Sequence, residues 1–327
     1  MIISKTPFRL SLFGGGTDFP SYYLKNNGVV VGGTINKYCY VTARHLPNVF
    51  NFKHRIVWSR NETVNNYNDI YHPTVRSVFK FMKIKKGLEV HYQGDLQKNS
   101  GLGTSSSFCV GLFNALYNLE NKKISPKNLS LNAIHVEQNM LKENCGSQDQ
   151  IWAAYGGFNV IRFNKNGNFN VKQIKRSVKN LHNLDKNMFL VYTGLNRFSE
   201  NIEKDKIKNL SKNFKNLDKI KDITNLFLKN LNSNLTIDHC ANLMNEYWEI
   251  KKKLSNKVTN PLIDELYSEG LKNGAIGGKI IGSGGGGFLL FCCKKNNQKK
   301  FFNGFKKLPI IKFNFTNKGS EIIFKNI

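Results

Sequence analysis

The sequence predicts an α+β protein folded as two lobes with a ligand crevice between them. Three observations carry that prediction: a first half built mainly of short apolar strands, a long helical stretch after residue 185, and three glycine-rich loops set at the ends of strands. With 327 residues the chain has ample material for a buried core, and 40% hydrophobic against 22% charged residues excludes global disorder. No apolar run approaches the roughly 18–20 residues that span a bilayer. The longest, Phe288–Cys293, has the length of a buried strand. Met1–Phe13 contains Lys5, Pro7 and Arg9 and has no secretory pattern. The six cysteines form no CxxC pair and read as reduced core thiols, which predicts a cytoplasmic protein with no membrane partner.

Taken in order, Ile2–Ser4, Leu10–Phe13, Val29–Gly33, Ile35–His45, Ile56–Ser59 and Leu88–Gly94 read as strands, because β-branched and aromatic residues cluster in short runs. Helices are expected over Ile70–Lys83, over Ser105–Leu119 and over Pro126–Asn144, the last with Ser125 as N-cap and Pro126 at its first position. Phe158–Phe163, Phe169–Lys175 and Met188–Tyr192 return to strand. From Ser199 to about Leu271 apolar residues recur at three-and-four spacing with Lys and Asn between them, so this stretch is mostly helical. Strands Ala275–Ile281, Phe288–Cys292 and Ile310–Phe315 close the chain around a helix near Gln298–Lys307. The change of character near residue 185 divides the chain into lobes 1–185 and 186–327.

The charge is strongly basic: 49 Lys and Arg against 22 Asp and Glu, a formal +27. Phosphate neutralisation on nucleic acid is one use for such a balance. The lysines, however, are spread along most of the chain and thicken only in Lys204–Lys221, Lys251–Lys257 and Lys294–Lys307, which read as solvated helix faces. No segment interleaves Arg with aromatics as a base-stacking platform does. Nucleic acid is therefore not an expected partner, and the charge suits attraction of an anionic small molecule.

The first glycine-rich loop follows Pro7-Phe8-Arg9 and ends the strand Leu10–Phe13 in Gly14-Gly15-Gly16-Thr17-Asp18. Its glycines let backbone approach a ligand, and Asp18 can accept hydrogen bonds from two vicinal hydroxyls, as sugar-binding carboxylates do. The alternative is a tight turn with Asp18 capping a helix over Ser21–Lys25. The second loop, Ser100-Gly101-Leu102-Gly103-Thr104-Ser105-Ser106-Ser107, opens an apolar helix. Unpaired backbone N–H groups and the helix dipole make such a start an anion site, and a hydroxyl there can ligate Mg²⁺. Its alternative is a serine-rich cap with nothing bound. The third, Gly282-Ser283-Gly284-Gly285-Gly286-Gly287, matches GxGxxG by letter but leads into a strand, which excludes a dinucleotide-binding half-domain. A hairpin and a loop closing over substrate both remain. No GxxxxGK[ST] occurs.

The order PxR(x)₄GGGTD, GLGTSSS and GSGGGG resembles the GHMP kinase superfamily, which includes galactokinase, homoserine kinase and mevalonate kinase, and the resemblance runs from Thr6 to the C-terminus. It implies a GHMP-kinase-like two-lobed fold, with an ATP-binding lobe over 1–185 and a lobe carrying the third loop over 186–327. The GGGTD form and Gly146-Ser147-Gln148-Asp149-Gln150 look most like the branch that phosphorylates the anomeric hydroxyl of D-glycero-D-manno-heptose 7-phosphate, towards nucleotide-activated heptose and surface polysaccharide. Fucokinase-like and hexose kinases share parts of the pattern.

The resemblance also implies roles. ATP would sit on Gly101, Leu102, Gly103, Thr104, Ser105, Ser106 and Ser107, with Mg²⁺ shared by Ser105 and Glu137. Asp149 would take the proton of the acceptor hydroxyl, and Arg9 would counter the charge developing on the acceptor oxygen. Gly15, Gly16, Thr17 and Asp18 would hold the sugar, Gly284, Gly285 and Gly286 would pack near both substrates and exclude water, and Arg197 would meet the substrate's own phosphate. Trp58 is a candidate for stacking on adenine. His72, His135 and the other histidines show no metal spacing and read as structural. Without the resemblance, Glu137 reads as a surface helix charge and Asp149 as an N-cap for Gln150–Tyr155. Two departures stand out: Gln97 lies where a proline often precedes the phosphate loop, and Thr104 where serine is commoner.

Overall fold

The computed structural model describes residues 1–98, 100–174, 184–195, 202, 205, 210–231, 233 and 235–326. Its first sheet is organised by two long antiparallel strands, β1 (Ile2–Phe13) and β2 (Gly28–His45). The sequence suggests two strands in each place, split at Pro7 and at Thr34. The structure joins each pair, because shifts of register between Pro7 and Arg9 and between Ser11 and Phe13 absorb the proline and twist β1 without ending it. The first half of β2 pairs with β6 (Phe158–Phe163) and the second half with β5 (Leu88–Gly94), so one strand serves two neighbours. Beyond β5 lie β3 (His54–Val57) and β4 (Asn61–Val64), and β7 (Phe169–Gln173) flanks β6.

Helix α1 (Pro20–Asn26) follows the first glycine loop. Helix α2 begins at Pro73 and runs to Met82, later than the expected Ile70, because Pro73 lacks the N–H an interior position would need and sits at the first turn. Helix α3 (Thr104–Leu119) crosses β1 and β2 and is buried on almost every side. Such a helix needs no amphipathic stripe, since each large apolar side chain taken from water contributes roughly 1.5–3 kcal/mol. Helix α4 (Pro126–Ile134) is capped by the Ser125 hydroxyl, which accepts from the Asn128 N–H at 3.2 Å. The expected single helix to Asn144 instead changes at His135 into a π-helical turn, His135–Met140, and then into irregular backbone. Helix α5 (Gln148–Tyr155) starts at Gln148 with Ser147 as N-cap, which puts Asp149 inside its first turn rather than at the cap.

The second sheet has the order β11 (Ile310–Ile311), β8 (Met188–Tyr192), β10 (Phe288–Cys293), β9 (Ala275–Ile280) among the described residues, antiparallel throughout. β8 and β10 read as unbroken apolar runs because both faces are covered. The helical stretch resolves into α6 (Leu210–Leu231), α7 (Ile237–Lys252) and α8 (Pro261–Lys272), and α9 (Gln298–Gly304) packs behind. The expected strand Ile310–Phe315 is shorter, with Phe315 bridging back to Ile35. A final strand that the sequence does not announce, β12 (Glu321–Lys325), pairs antiparallel with the start of β1. Its run EIIFK is short and partly polar, and its outer residues stay exposed.

One apolar core passes from α3 through β1 and β2 into α6, α7 and one face of the second sheet. Phe13 sits at the crossing, its ring 4.6 Å from that of Phe227 on α6 and 5.8 Å, edge-on, from that of Tyr247 on α7. The other face of the second sheet packs on α7, α8 and α9 through Trp248, Ile263 and Phe301 respectively. Among the described residues no helix is long and apolar enough to cross a membrane. Phe13 is fully buried. Phe13→Ala should therefore cost about 3–5 kcal/mol, read as a fall in the urea midpoint at unchanged slope.

Candidate active site

A cavity of about 670 Å³ lies where the first sheet, α3, α5 and α7 converge, and all three glycine-rich loops reach its wall. At its centre Arg9 and Asp149 form a two-pronged pair, Nε to Oδ1 at 2.6 Å and Nη2 to Oδ2 at 2.6 Å. Just past the register shift in β1, Arg9 sits opposite Thr34 of β2, while its backbone N–H donates to Leu102 O at 3.0 Å and its Nη1 to Gly101 O. The guanidinium thus ties the phosphate loop to α5. Arg9 is 7% exposed and Asp149 22%, so the carboxylate faces the cavity while the arginine stands behind it. A planar five-donor group suits this bidentate task where a lysine would not.

The second loop enters α3 through Gly103, whose φ of 71° is left-handed and whose missing side chain leaves room for Arg9, since a Cβ there would lie 2.9 Å from Arg9 Cγ. The first N–H groups of α3 have no intrahelical acceptor and open onto the cavity with Gly101, Gly103, Thr104, Ser105 and Ser106 in its lining. Two members of the loop point elsewhere. Leu102 is wholly buried in the core, and the Ser107 hydroxyl donates to Pro7 O at 2.9 Å.

The serine facing Glu137 is Ser106, not Ser105. With α3 beginning at Thr104, the helical phase turns Ser105 outward and exposed, and brings Ser106 Oγ to 2.8 Å from Glu137 Oε2. Glu137 rides on the π-helical turn and is 1% exposed, the reverse of a surface helix charge. Gln150 Nε2 also donates to its Oε2, while Oε1 has no hydrogen-bond partner among the described residues. Burial, and then the nearby Glu143 charge, push the Glu137 carboxyl well above the usual range against the hydrogen bonds from Ser106 and Gln150. Ligand atoms of Glu137, Glu143 and Cys145 lie within 4.8 Å of one another. An orphaned buried carboxylate oxygen opposite a hydroxyl, beside a second carboxylate, fits a hard divalent cation such as Mg²⁺.

The first loop supplies the opposite wall. Asp18 is fully buried and does not cap α1, whose N-cap is Phe19. It accepts from Gly16 N at 2.9 Å and Gln148 N at 3.4 Å, and Gly146 must lack a side chain because a Cβ would land on the Asp18 carboxylate. Burial raises the Asp18 carboxyl to about 6 against the Gly16 hydrogen bond, and the Asp149 charge adds to the rise. Gly15 and Gly16 line the cavity, but Thr17 does not grip anything there. Its hydroxyl is wholly buried, donates to Gly14 O and Val29 O at 2.8 and 2.9 Å, and accepts from Val29 N at 3.1 Å, so it pins the loop to β2.

From the third loop the cavity receives Gly282 and Ser283, not Gly284, Gly285 and Gly286. Those three turn away: Gly285 N donates to Val258 O at 2.8 Å, and the backbone of Gly284 lies directly on Val258. Arg197 falls outside the described residues. Trp58 does line the cavity, with Tyr92, Leu96 and Phe108 forming an apolar end beyond the phosphate loop. His72 lies there too, edge-on to Trp58 at 4.8 Å, its pKa lowered to about 4 by burial and then by Lys98.

Sequence reasoning misses two lysines in the wall. Lys251 was expected on a solvated face, yet it is 5% exposed, four residues after Tyr247 on the inward side of α7. Lys279 is 2% exposed within the otherwise apolar β9, and a lone lysine in such a strand is the signal that could have found it.

Asp18 gives a pH test. Its carboxyl is raised on folding, so its protonated form adds stability below about pH 3.8, and that contribution is lost as pH rises through about 6. Asp18→Asn should raise the melting temperature at pH 8, by the equivalent of up to about 3 kcal/mol, and the gain should vanish near pH 4.

Two family models match the chain: the GHMP kinases N terminal domain over residues 70–157 and the GHMP kinases C terminal domain over residues 227–309. The chain is 27% identical over 298 residues to D-glycero-alpha-D-manno-heptose 7-phosphate kinase of Campylobacter jejuni, covering 86% of each. Among solved structures it resembles a D-glycero-D-manno-heptose 1-phosphate kinase from Bacteroides thetaiotaomicron with a TM-score of 0.81, at 22% identity over the whole of both chains. It also resembles Lactococcus lactis galactokinase complexed with galactose, with a TM-score of 0.75 at 16% identity over 98% of this chain and 94% of that one. These two likenesses are of fold.

Proposed function

We propose, starting from the fact that this chain belongs to the GHMP kinase family, that it phosphorylates the anomeric hydroxyl of D-glycero-D-manno-heptose 7-phosphate. The product is then the 1,7-bisphosphate, a precursor for nucleotide-activated heptose, made in the cytoplasm where ATP is available. The single observation that carries the reading is the Arg9–Asp149 pair, held between the start of α3 and the buried Asp18. The heptose assignment is supported by the Campylobacter jejuni relative.

In this reading the acceptor hydroxyl lies against Asp149, and its oxygen attacks the γ-phosphorus of ATP in line with the bridging oxygen that leaves with ADP. Asp149 takes the hydroxyl proton on a carboxylate oxygen as the new O–P bond forms. Arg9 fixes that carboxylate through two parallel hydrogen bonds, so no rotation is needed at the moment of transfer. The free N–H groups of α3 hold the phosphate oxygens, with Thr104 and Ser105 beside them. Ser106 and Glu137 would hold Mg²⁺, and a bound divalent cation supplies charge neutralisation at the transferred group. Asp18 orients vicinal sugar hydroxyls, and Trp58, Tyr92 and Phe108 form the surface on which adenine would lie.

ADP release with Mg·ATP, measured against a panel of sugars and sugar phosphates, tests the assignment. Turnover should be confined to heptose 7-phosphate and should fall about a thousandfold in Asp149→Asn. Turnover with neutral sugars alone would sink the heptose assignment and leave the kinase. A second expectation concerns the metal. Ser106→Ala should raise the Mg²⁺ concentration for half-maximal rate about tenfold or more, and by more than Ser105→Ala does. Equal effects at the two positions would remove Ser106 from the metal site.

A further inference from the structure

We propose that Lys279, with Lys251 beside it, forms the subsite for a phosphate group that the acceptor sugar already carries. The inference deepens the preceding one and rests on it only in taking this cavity to hold a sugar acceptor.

Both side chains line the acceptor end of the cavity, together with Asn213, Tyr247, Leu254 and Ser283. Lys279 reaches from β9 of the second sheet across to β1, donating to Ser11 O at 3.0 Å with its ammonium 4.4 Å from the centre of the Tyr247 ring. Lys251 comes from α7 to the same strand end, donating to Ile280 O at 3.0 Å and Gly282 O at 2.6 Å. Lys251 thus holds the backbone next to Lys279, and both side chains line the same cavity.

An ammonium taken out of water is costly unless something anionic or several hydrogen bonds replace the solvent. Around Lys279 the described residues offer a carbonyl and a ring face, and no carboxylate forms an ion pair with it. Burial, and then the charge of Arg9, lower its pKa to about 7. Of the acids lining this part of the cavity, Asp149 is paired with Arg9, and Asp18 accepts from the backbone of Gly16 and Gln148. Lys279 thus has no carboxylate partner among the described residues, and a phosphate dianion would hold it protonated and neutralise it where a neutral sugar hydroxyl would not. Tyr247 links this subsite to the sugar loop, its hydroxyl donating to Gly15 O at 3.3 Å, so occupancy at the lysines would bear directly on the loop that holds the hydroxyls.

The test compares D-glycero-D-manno-heptose 7-phosphate with the dephosphorylated heptose in the full-length enzyme, in Lys279→Met and in Lys251→Met. The ratio of kcat/KM for the phosphorylated to the dephosphorylated sugar should fall about tenfold or more in Lys279→Met, and by a smaller factor in Lys251→Met, while KM for ATP stays within about twofold. A purely structural lysine would lower both sugars together, and an unchanged ratio in folded variants overturns the proposal. Inorganic phosphate gives a second measurement on the unmodified protein. It should compete with the sugar phosphate, and competition with ATP alone overturns the proposal even where neither variant folds. If another sugar phosphate proves to be the acceptor, the heptose assignment fails and the same ratio taken on that sugar still decides the lysines. If only neutral sugars are turned over, this subsite is wrong and the kinase stands.

Discussion

The interaction on which the rest of the site depends is the two-pronged hydrogen bonding between Arg9 and Asp149. It joins three separately folded pieces: the shifted strand β1, the phosphate loop through Gly101 O and Leu102 O, and the first turn of α5. Charge-assisted parallel bonds of this kind fix orientation as well as distance. Asp149 gains a further restraint from its place near the positive end of α5. Arg9 keeps its place opposite Thr34 of β2 just after the register shift, so the anchor shared by the loop and α5 is itself fixed in the first sheet.

Around that pair the protein buries charge in a way that favours ligands over the empty cavity. Among the described residues Glu137 has an orphan carboxylate oxygen, Asp18 is driven towards protonation, and Lys279 is buried with the charge of Arg9 acting on it. Each arrangement costs stability in the free protein, and each is relieved by a group of opposite sign or by a hydroxyl donor. The core compensates. Phe13, Phe227 and Tyr247 join β1 to α6 and α7 in one continuous core, with Tyr247 also lining the cavity.

Much of this is legible in the sequence. Three glycine-rich loops in one order, with Arg9 before the first and Asp149 between the second and third, point to one site, and the structure brings all of them to one cavity. What stays hidden depends on phase and on distance along the chain. Whether Ser105 or Ser106 faces Glu137 turns on a single residue at the start of α3, and a loop of similar small residues does not mark that start. Glu137 looks like a surface charge because its π-helical turn breaks the 3.6-residue period that assigns faces. Thr17 has the chemistry of a sugar ligand, but a hydroxyl flanked by glycines serves backbone groups as readily. Lys251 disappears among neighbouring lysines, whereas Lys279 is conspicuous in its strand once the fold is known.

The pairing of β12 with β1 has a bearing on how the protein comes into being. During synthesis β1 emerges early and can find β2 at once, yet one of its edges stays open until nearly the whole of the described chain has been made. An open edge on a central strand invites pairing with a neighbouring nascent chain. The interval is long because the second sheet and its helices are translated in between. The polar character of β1 near that edge, with Ser4, Lys5 and Thr6 in succession, makes the waiting strand a poor template for a stranger. Closure of the sheet by β12 is then a late step, completing the first sheet only after the second has been made.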